Sequence, residues 1–470
     1  MGPDVIVVGG GNAALAAAIT ARRAGADVLL LERAPLHMRG GNTRHTRDIR
    51  FAHDVPLPAA PGAYLVEEFF EDLIRVTGGA TNRELAELTL RESMTLPAWM
   101  EAQGILWQRA LTGTLHLSRT NLFFLGGGKQ LVNAYYDTAA RLGVRIRYDA
   151  SVVALSNGGA HAGGTARDGG GTRVGGVVLD SGERIACRAV VAAAGGFEAD
   201  VAWLKEYWGD AADNFVIRGT PHNTGLVLRA LYALGAKPVG DPREFHATAC
   251  DARAPRFDGG IVTRIDAIPF GIVVNARGER FYDEGEELWP KRYAIWGKLI
   301  AQQPQQTAFV MYDAKVHGRF IPSAFPALRA GSAGELAALM GLDASAVTAT
   351  VAAYNAAIVS GGTFDPSALD DCATRGLTPP KSHWALPLDT PPFYGYAMRT
   401  GITFTYLGVE VTAGACVVSE GGTPFENLYA AGECMAGNIL SRGYLAGFGL
   451  TIGTVFGRIA GKEAARHARS

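Results

Sequence analysis

Cysteine is scarce and unpaired. The 470 residues hold five, Cys187, Cys250, Cys372, Cys416 and Cys434, widely spaced and without a C-x-x-C pair. That pattern suggests neither a disulfide framework nor a zinc or iron–sulfur centre, and a reducing cytoplasm is the expected compartment. Charge imbalance is missing too. Lys+Arg number 44 against 45 Asp+Glu, a net charge of -1, which excludes a strongly basic nucleic-acid binder and an acidic disordered chain. No apolar run is long enough to span a bilayer: the uncharged runs Val5–Ala21 and Gly443–Gly457 are both broken by glycine and short of the ~20 residues required. A secretory leader is not expected, because Asp4 stands where a cationic segment would. Glycine is what the chain has in excess, 60 residues against ~7% in an average protein. The length leaves room for two or three domains.

Part of that glycine has a definite task. Val5–Val8 is a short β-branched run that reads as a buried parallel strand. Gly9-Gly10-Gly11-Asn12-Ala13-Ala14 follows as a G-x-G-x-x-A turn, then an alanine-rich helix to Arg23, then a second strand, Val28–Leu31, ending at Glu32. Gly9 permits the tight turn, Gly11 lets a pyrophosphate approach the backbone, and Ala14 lets the helix pack closely on the sheet. The helix N-terminus offers free N–H groups to phosphate, and Glu32, 18 residues beyond Ala14, is placed to accept from ribose hydroxyls. Two distant pieces, VVAAAGG at Val190–Gly196 and LYAAGE at Leu428–Glu433, extend the site. A dinucleotide site assembled from the beginning, middle and end of the chain suits an extended FAD rather than NAD.

The expected architecture is α/β: a Rossmann-like FAD-binding domain of the glutathione-reductase type with an inserted α+β capping domain. The FAD-binding domain is expected at residues 1–240 and again at 405–470, with the cap at 241–404, where prolines, aromatics and short strands increase. Helices are expected within 63–103, at Lys129–Leu142, Ala344–Ile358 and Thr451–Ala468. Gly158–Gly176 reads as a hairpin tip between strands, not a phosphate loop, because it lacks a Lys-Ser/Thr ending.

Together GGGNAALAAA, GGNTRHT (Gly40–Thr46), VVAAAGGF, VVNARGERFYDE (Val273–Glu284) and LYAAGE resemble the FAD-dependent fumarate reductase and succinate dehydrogenase flavoprotein superfamily over essentially the whole chain. More narrowly, Gly113–Tyr136, Glu279–Leu299, Gly401–Val409 and Ala436–Gly453 look like the tricarballylate dehydrogenase branch. A flavoprotein module of precorrin oxidation is similar to that branch as well. The resemblance implies an FAD-dependent oxidoreductase acting on CH–CH groups by hydride exchange between flavin N5 and a carbon beside a carboxylate. In that branch tricarballylate becomes cis-aconitate. Fumarate-type reduction and oxidation of a larger carboxylated ring, such as a corrinoid precursor, are the alternatives. Electrons are expected to leave through a separate acceptor, a membrane-bound iron–sulfur/haem protein, with the chain cytoplasmic and peripheral to the membrane through that partner.

The resemblance also assigns residues. Arg292, after the RFYDE segment, takes the place of the catalytic acid/base, although its spacing is longer than in fumarate reductases. Arginine is effectively always protonated and is an awkward base; Tyr406 is the candidate relay. Arg442 in SRGYLAG and His246 in EFHAT correspond to substrate-binding positions. The family's second substrate histidine is replaced by Phe404, leaving the Thr405 hydroxyl beside it. His116 and Arg119 in HLSRTN offer a further carboxylate handle. The expected cofactor contacts are Gly9, Gly11, Asn12, Ala13, Ala14, Glu32 and Arg33, then Gly40, Gly41, Asn42, Thr43, Arg44 and His45. Val153, Ala194, Gly195, Gly432, Glu433, Gly449, Leu450 and Thr451 complete them, with Glu433 resembling the ribitol-binding acid. Arg39, Arg47 and Arg50 read equally well as a solvated basic loop. No histidine stands in the covalent-attachment context, with His45 as the one candidate exception, so noncovalent FAD is expected. A flavin-containing assembly or electron-carrier subunit is the non-enzymatic alternative.

Overall fold

Val5–Val8 (β1) and Val28–Leu31 (β2) are strands buried along their whole length, joined by helix α1 (Asn12–Arg23). They belong to a computed structural model that describes residues 2–110, 119–157 and 173–470. β1 pairs in parallel with β2, Val5 opposite Val28, and on its other side with Ala189–Ala192. The full sheet runs Cys416–Val418, Pro424–Ala430, Ala189–Ala192, β1, β2, Arg145–Arg147. The first pair is antiparallel and the others are parallel. Strands covered on both faces have no polar side to show, which is why β1 and β2 are continuous apolar runs.

Helix α1 lies against the terminal helix, Phe448–Arg469. A Cβ at Gly461 would stand 2.2 Å from the Ala17 carbonyl oxygen, so the two backbones touch. The alanines of α1 and the glycines facing them are therefore a packing device, and the terminal helix is locked onto the nucleotide unit. The expected helical stretch of 63–103 is three helices, Val66–Thr77, Arg83–Ser93 and Leu96–Glu101. The glycine-rich hairpin has its arms in place, Val152–Asn157 antiparallel to Val174–Leu179; its tip, 158–172, lies outside the described residues.

A second sheet is organised around the 13-residue strand Phe393–Thr405. Val216–Ile217, Thr307–Asp313, Phe245–Asp251 and Leu328–Ala330 all pair with it, and Ile272–Asn275 follows Thr307–Asp313. Helix Ala344–Ala357, capped by Asp343, covers this sheet through Val347, Val351 and Tyr354. Val216–Ile217 joins it from ahead of residue 241, where the cap was expected to begin; a two-residue strand carries no periodicity to announce it. Where Phe245–Asp251 meets the long strand, His246 pairs with Phe404 and Ala247 with Ile402, leaving Thr403 as an extra residue. Such a bulge bends the strand and re-aims its side chains, here beside the site. Among the described residues no helix is long and apolar enough to cross a membrane.

Candidate active site

A continuous cavity of about 1590 Å³, including its mouth, runs from the β1–α1 turn to the second sheet. Gly9, Gly10 and Gly11 form its floor at one end. Gly9 has φ +111°, and a Cβ there would stand 2.3 Å from the Ala193 carbonyl oxygen; only glycine fits. The first turn of α1 carries no acidic residue, so no side-chain charge there opposes an anion at the positive end of the helix. Asn12 ties three distant segments together: its N–H donates to Thr43 Oγ1 (2.9 Å) and its Nδ2 to the Leu450 carbonyl (3.1 Å) and Thr454 Oγ1 (3.0 Å). Glu32, at the tip of β2, accepts from the Ala34 and Gly40 N–H groups, and burial pushes its pKa up against those hydrogen bonds.

The other end is lined by Arg47, Asp48, Arg218, His246, Arg264, Tyr293, Phe404 and Tyr444. Arg218 donates to Thr248 Oγ1 (2.9 Å), and Arg264 is paired with Asp266 (2.8 Å) and stands 4.8 Å from the centre of the Tyr293 ring. Burial lowers the pKa of Arg47 and Arg218, and the neighbouring Arg264 charge lowers both further; guanidinium nevertheless stays charged at neutral pH. Burial disfavours the Arg264 charge as well, but Asp266, Tyr293 and Asp48 together more than offset it. Burial holds Asp48 above the usual carboxylate range, opposed by Arg47, Arg264 and Arg50. His246 stacks on Tyr444 at 3.8 Å and meets Tyr293 edge-on. Its pKa lies well below the ordinary value, because it is buried and faces Arg218 and Arg264, so its ring is neutral. The Gly449 N–H donates to the Tyr444 hydroxyl oxygen at 3.1 Å.

Several buried polar atoms of these lining residues have no hydrogen-bond partner among the described residues: Arg47 Nη2, Arg264 Nε, His246 Nδ1, His222 Nε2 and Thr403 Oγ1. Such atoms are costly unless a ligand or water meets them. The donors at one end match an anion. The glycine turn, helix N-terminus and buried acid at the other match a dinucleotide, so the residues present fit FAD.

The structure sorts the expected residues. Gly9, Gly11, Asn12, Ala13, Glu32, Arg33, Gly41, Asn42, Thr43, His45, Ala194, Gly195, Gly432, Glu433, Gly449, Leu450 and His246 line the cavity. Ala14 packs in the core, Gly40 bonds Glu32 through its backbone, Arg44 faces Asp258, and Thr451 Oγ1 donates to the Arg50 carbonyl. Val153 is exposed and Val152 lines the cavity, a one-residue shift that reverses the face of a strand. Arg292 is not brought to the cavity. It ends the short helix Trp289–Arg292, half-exposed, bonded to Glu286 and the Tyr282 hydroxyl, and the next residue, Tyr293, turns inward. Arg442 is likewise outside, exposed and donating to the Thr77 carbonyl at 3.0 Å, while Tyr444 two residues on lines the cavity. Tyr406 is fully buried behind the site with its hydroxyl on the Gly443 carbonyl. Thr405 bonds Glu433 (2.9 Å) rather than facing a ligand. Arg119 is held by Glu68 and the Ala63 carbonyl; His116 lies outside the described residues. Arg218, Arg264, Tyr293 and Tyr444 were not singled out from sequence. Arg218 in FVIRGT was detectable as a single charge inside an apolar run, and Arg264 in IVTRIDAI as half of an Arg/Asp266 pair inside one.

These features are those of an FAD-binding α/β fold, and residues 4–449 match the FAD binding domain family; the chain belongs to it, within the fumarate reductase and succinate dehydrogenase flavoprotein superfamily. It is 26% identical to the NADH:fumarate oxidoreductase of Klebsiella pneumoniae (strain 342) over 99% of its own length, but spans 48% of that relative. The 3-ketosteroid-Δ4-(5α)-dehydrogenase of Rhodococcus jostii RHA1, in complex with 4-androstene-3,17-dione, superposes with TM-score 0.73 at 25% identity, covering 98% of this chain and 96% of that one. The open conformation of a flavocytochrome c3 fumarate reductase gives TM-score 0.74 at 22% identity, over 100% of this chain and 79% of that one, a likeness of fold.

Proposed function

We propose that the chain is an FAD-dependent oxidoreductase that makes or reduces a C=C bond next to a carboxylate of a small polycarboxylate, with tricarballylate oxidised to cis-aconitate as the leading assignment. One observation carries this reading: three guanidiniums, the buried Arg218 and Arg264 and the half-buried Arg47, gather at the end of the cavity away from the β1–α1 turn. Three positive charges stand against two carboxylates, Asp48 paired with Arg47 at 3.8 Å and Asp266 with Arg264 at 2.8 Å, which leaves one positive charge in excess. One carboxylate of a ligand balances that excess, and its other carboxylates meet the unpartnered nitrogens of Arg47 and Arg264. When bound, FAD supplies a two-electron hydride acceptor or donor. The chain's own residues do the rest. The guanidiniums orient carboxylates and stabilise charge that develops as the adjacent carbon loses its proton. Tyr293 donates a proton to that carbon in the reducing direction and accepts it as the phenolate in the oxidising direction, the Arg264 cation beside its ring favouring the phenolate against the rise in pKa that burial imposes. Neutral His246 and Tyr444, stacked on each other beside Tyr293, supply an acceptor and a donor.

A second substrate class is favoured by Tyr444. Its oxygen accepts from the Gly449 N–H, so its proton is free for a ligand oxygen; a carbonyl on a larger carboxylated ring would use it. The likeness to the ketosteroid dehydrogenase supports this alternative, and fumarate-type reduction uses the same groups in reverse. FAD is held noncovalently, with His45 engaged by Asp258, and acid precipitation should release it. A separate acceptor, a membrane-bound iron–sulfur/haem protein, takes the electrons from a cytoplasmic enzyme. Anaerobic titration of the oxidised flavin with tricarballylate, succinate and cyclic oxo-acids tests the reading at the flavin absorption band. Bleaching by tricarballylate with formation of a conjugated acid is expected; no bleaching by any di- or tricarboxylate overturns it.

A further inference from the structure

Among the described residues, a buried acid pair beside the dinucleotide end has no cation partner. The strands Ala189–Ala192 and Pro424–Ala430 are parallel neighbours, so the turns after them come together. One carries Glu198 and the other Glu433, both buried. Glu198 Oε1 accepts from Asn42 Nδ2 (2.5 Å) and Asn223 Nδ2 (2.8 Å); Glu433 Oε1 accepts from the Thr405 N–H (2.6 Å) and hydroxyl (2.9 Å). The two carboxyl groups lie within hydrogen-bonding reach of each other. Glu198 Oε2 has no donor, and among the described residues neither acid has an ion-pair partner. Two ionised carboxylates in that position repel and lack solvation. A proton on Glu433 supplies the donor that Glu198 Oε2 lacks. Glu433, Asn42 and Asn223 line the cavity, whereas Glu198 stands behind them and fixes both amides.

We propose that Glu198 is a positioning residue for the cofactor: it shares one proton with Glu433, and loss of that proton at alkaline pH weakens flavin binding. The proposal rests on the FAD reading of the cavity. Burial raises both carboxyls, and the mutual repulsion raises Glu433 further. The titratable neighbours do not compete: burial pushes the Cys434 thiol up to about 12 and the Tyr406 phenol well above its ordinary value. Cofactor binding removes water from Glu433 and adds the negative pyrophosphate to the same cavity, so it holds the shared proton more tightly. Affinity is then full below the pair's pKa in the free protein and falls as pH rises through its pKa in the complex, by at most about tenfold per pH unit for one proton.

Flavin release from the full-length holoprotein, read by fluorescence on dilution between pH 7 and 9.5, tests this. Wild type should weaken at alkaline pH. Glu198→Gln, which keeps the pair at one negative charge, should bind as tightly at pH 7 and show a flat profile; Glu198→Ala should weaken binding throughout. Calorimetric titration of the flavin-stripped full chain with FAD, in buffers of different ionisation enthalpy, should show proton uptake of up to about one per FAD near the pair's pKa. That measurement needs no variant. A pH-independent wild type, or no proton uptake, overturns the proposal alone. Failure of wild type to bind FAD at every pH overturns the cofactor reading and the proposal with it.

Discussion

The two ends of the cavity are specified differently. The dinucleotide end is largely backbone: a turn that only glycine can make, a helix N-terminus and one acid at a strand tip, with β1, α1 and β2 contiguous in sequence. The substrate end is side chains brought from Arg47, Arg218, His246, Arg264, Tyr293 and Tyr444, each on a different segment. Backbone geometry constrains residue type over a fixed spacing. A side-chain cluster constrains only where each segment points, and a shift of one residue sends a charge to solvent. The first kind should therefore break at single glycines, and the second should show sharp contrasts between sequence neighbours.

The largest effect is expected at the first. Gly9→Val places a β-carbon 2.3 Å from the Ala193 oxygen at a left-handed φ, and the turn must move. Purified protein should lose essentially all bound flavin, measured as the flavin-to-protein absorbance ratio. The second end gives paired contrasts. Arg47→Ala should lower kcat/KM with tricarballylate by about 100-fold or more, the scale on which losing one partner of a buried charge contact operates. Arg442→Ala, whose guanidinium is exposed on the Thr77 carbonyl, should stay within about twofold. Equal losses in the two would invert the assignment. Tyr293→Phe should reduce kcat by about 10²–10⁴-fold with KM little changed, as removal of a proton-transferring group does. Arg292→Ala loses a half-exposed pair with Glu286, worth at most about 1 kcal/mol of stability, and should leave kcat nearly intact.

Those contrasts also mark what could be read in the sequence. The FAD fold was legible because the β1–α1–β2 unit, the middle strand Ala189–Ala192 and the GE segment each carry their own local signature. One residue of the second end, His246, was legible as lining the cavity. The others were not, for local reasons. Trp289–Arg292 is one turn of helix that ends with Arg292 outward and Tyr293 inward, and no periodicity extends far enough to set that phase. In the Ser441–Ala446 loop, nothing in residue type distinguishes the exposed Arg442 from the inward Tyr444. Arg47 was weighed as a solvated loop cation. Only the packing of its segment against Arg264 and Phe123 shows it half-buried at the cavity.

The finest test of the contrast uses protons. His246 faces Arg218 and Arg264 in a buried site, which keeps its folded-state pKa well below 6.5. The unfolded chain binds a proton at His246 below about pH 6.5 and the native chain does not. That contribution to stability is therefore present above 6.5 and lost as pH falls, by at most about 1.4 kcal/mol per pH unit. Burial also depresses His45, His53 and His222, so the total slope belongs to several groups. The difference between wild type and His246→Gln isolates one of them: thermal unfolding between pH 6.5 and 5.5 should steepen in wild type and flatten in the variant. A tricarboxylate added to both should shrink that difference, because its negative charge offsets the guanidiniums and lets the imidazole take up a proton. A neutral ligand cannot do so. A difference that persists unchanged at saturating tricarboxylate would mean that the anion binds away from His246, and would separate the histidine from the arginine cluster.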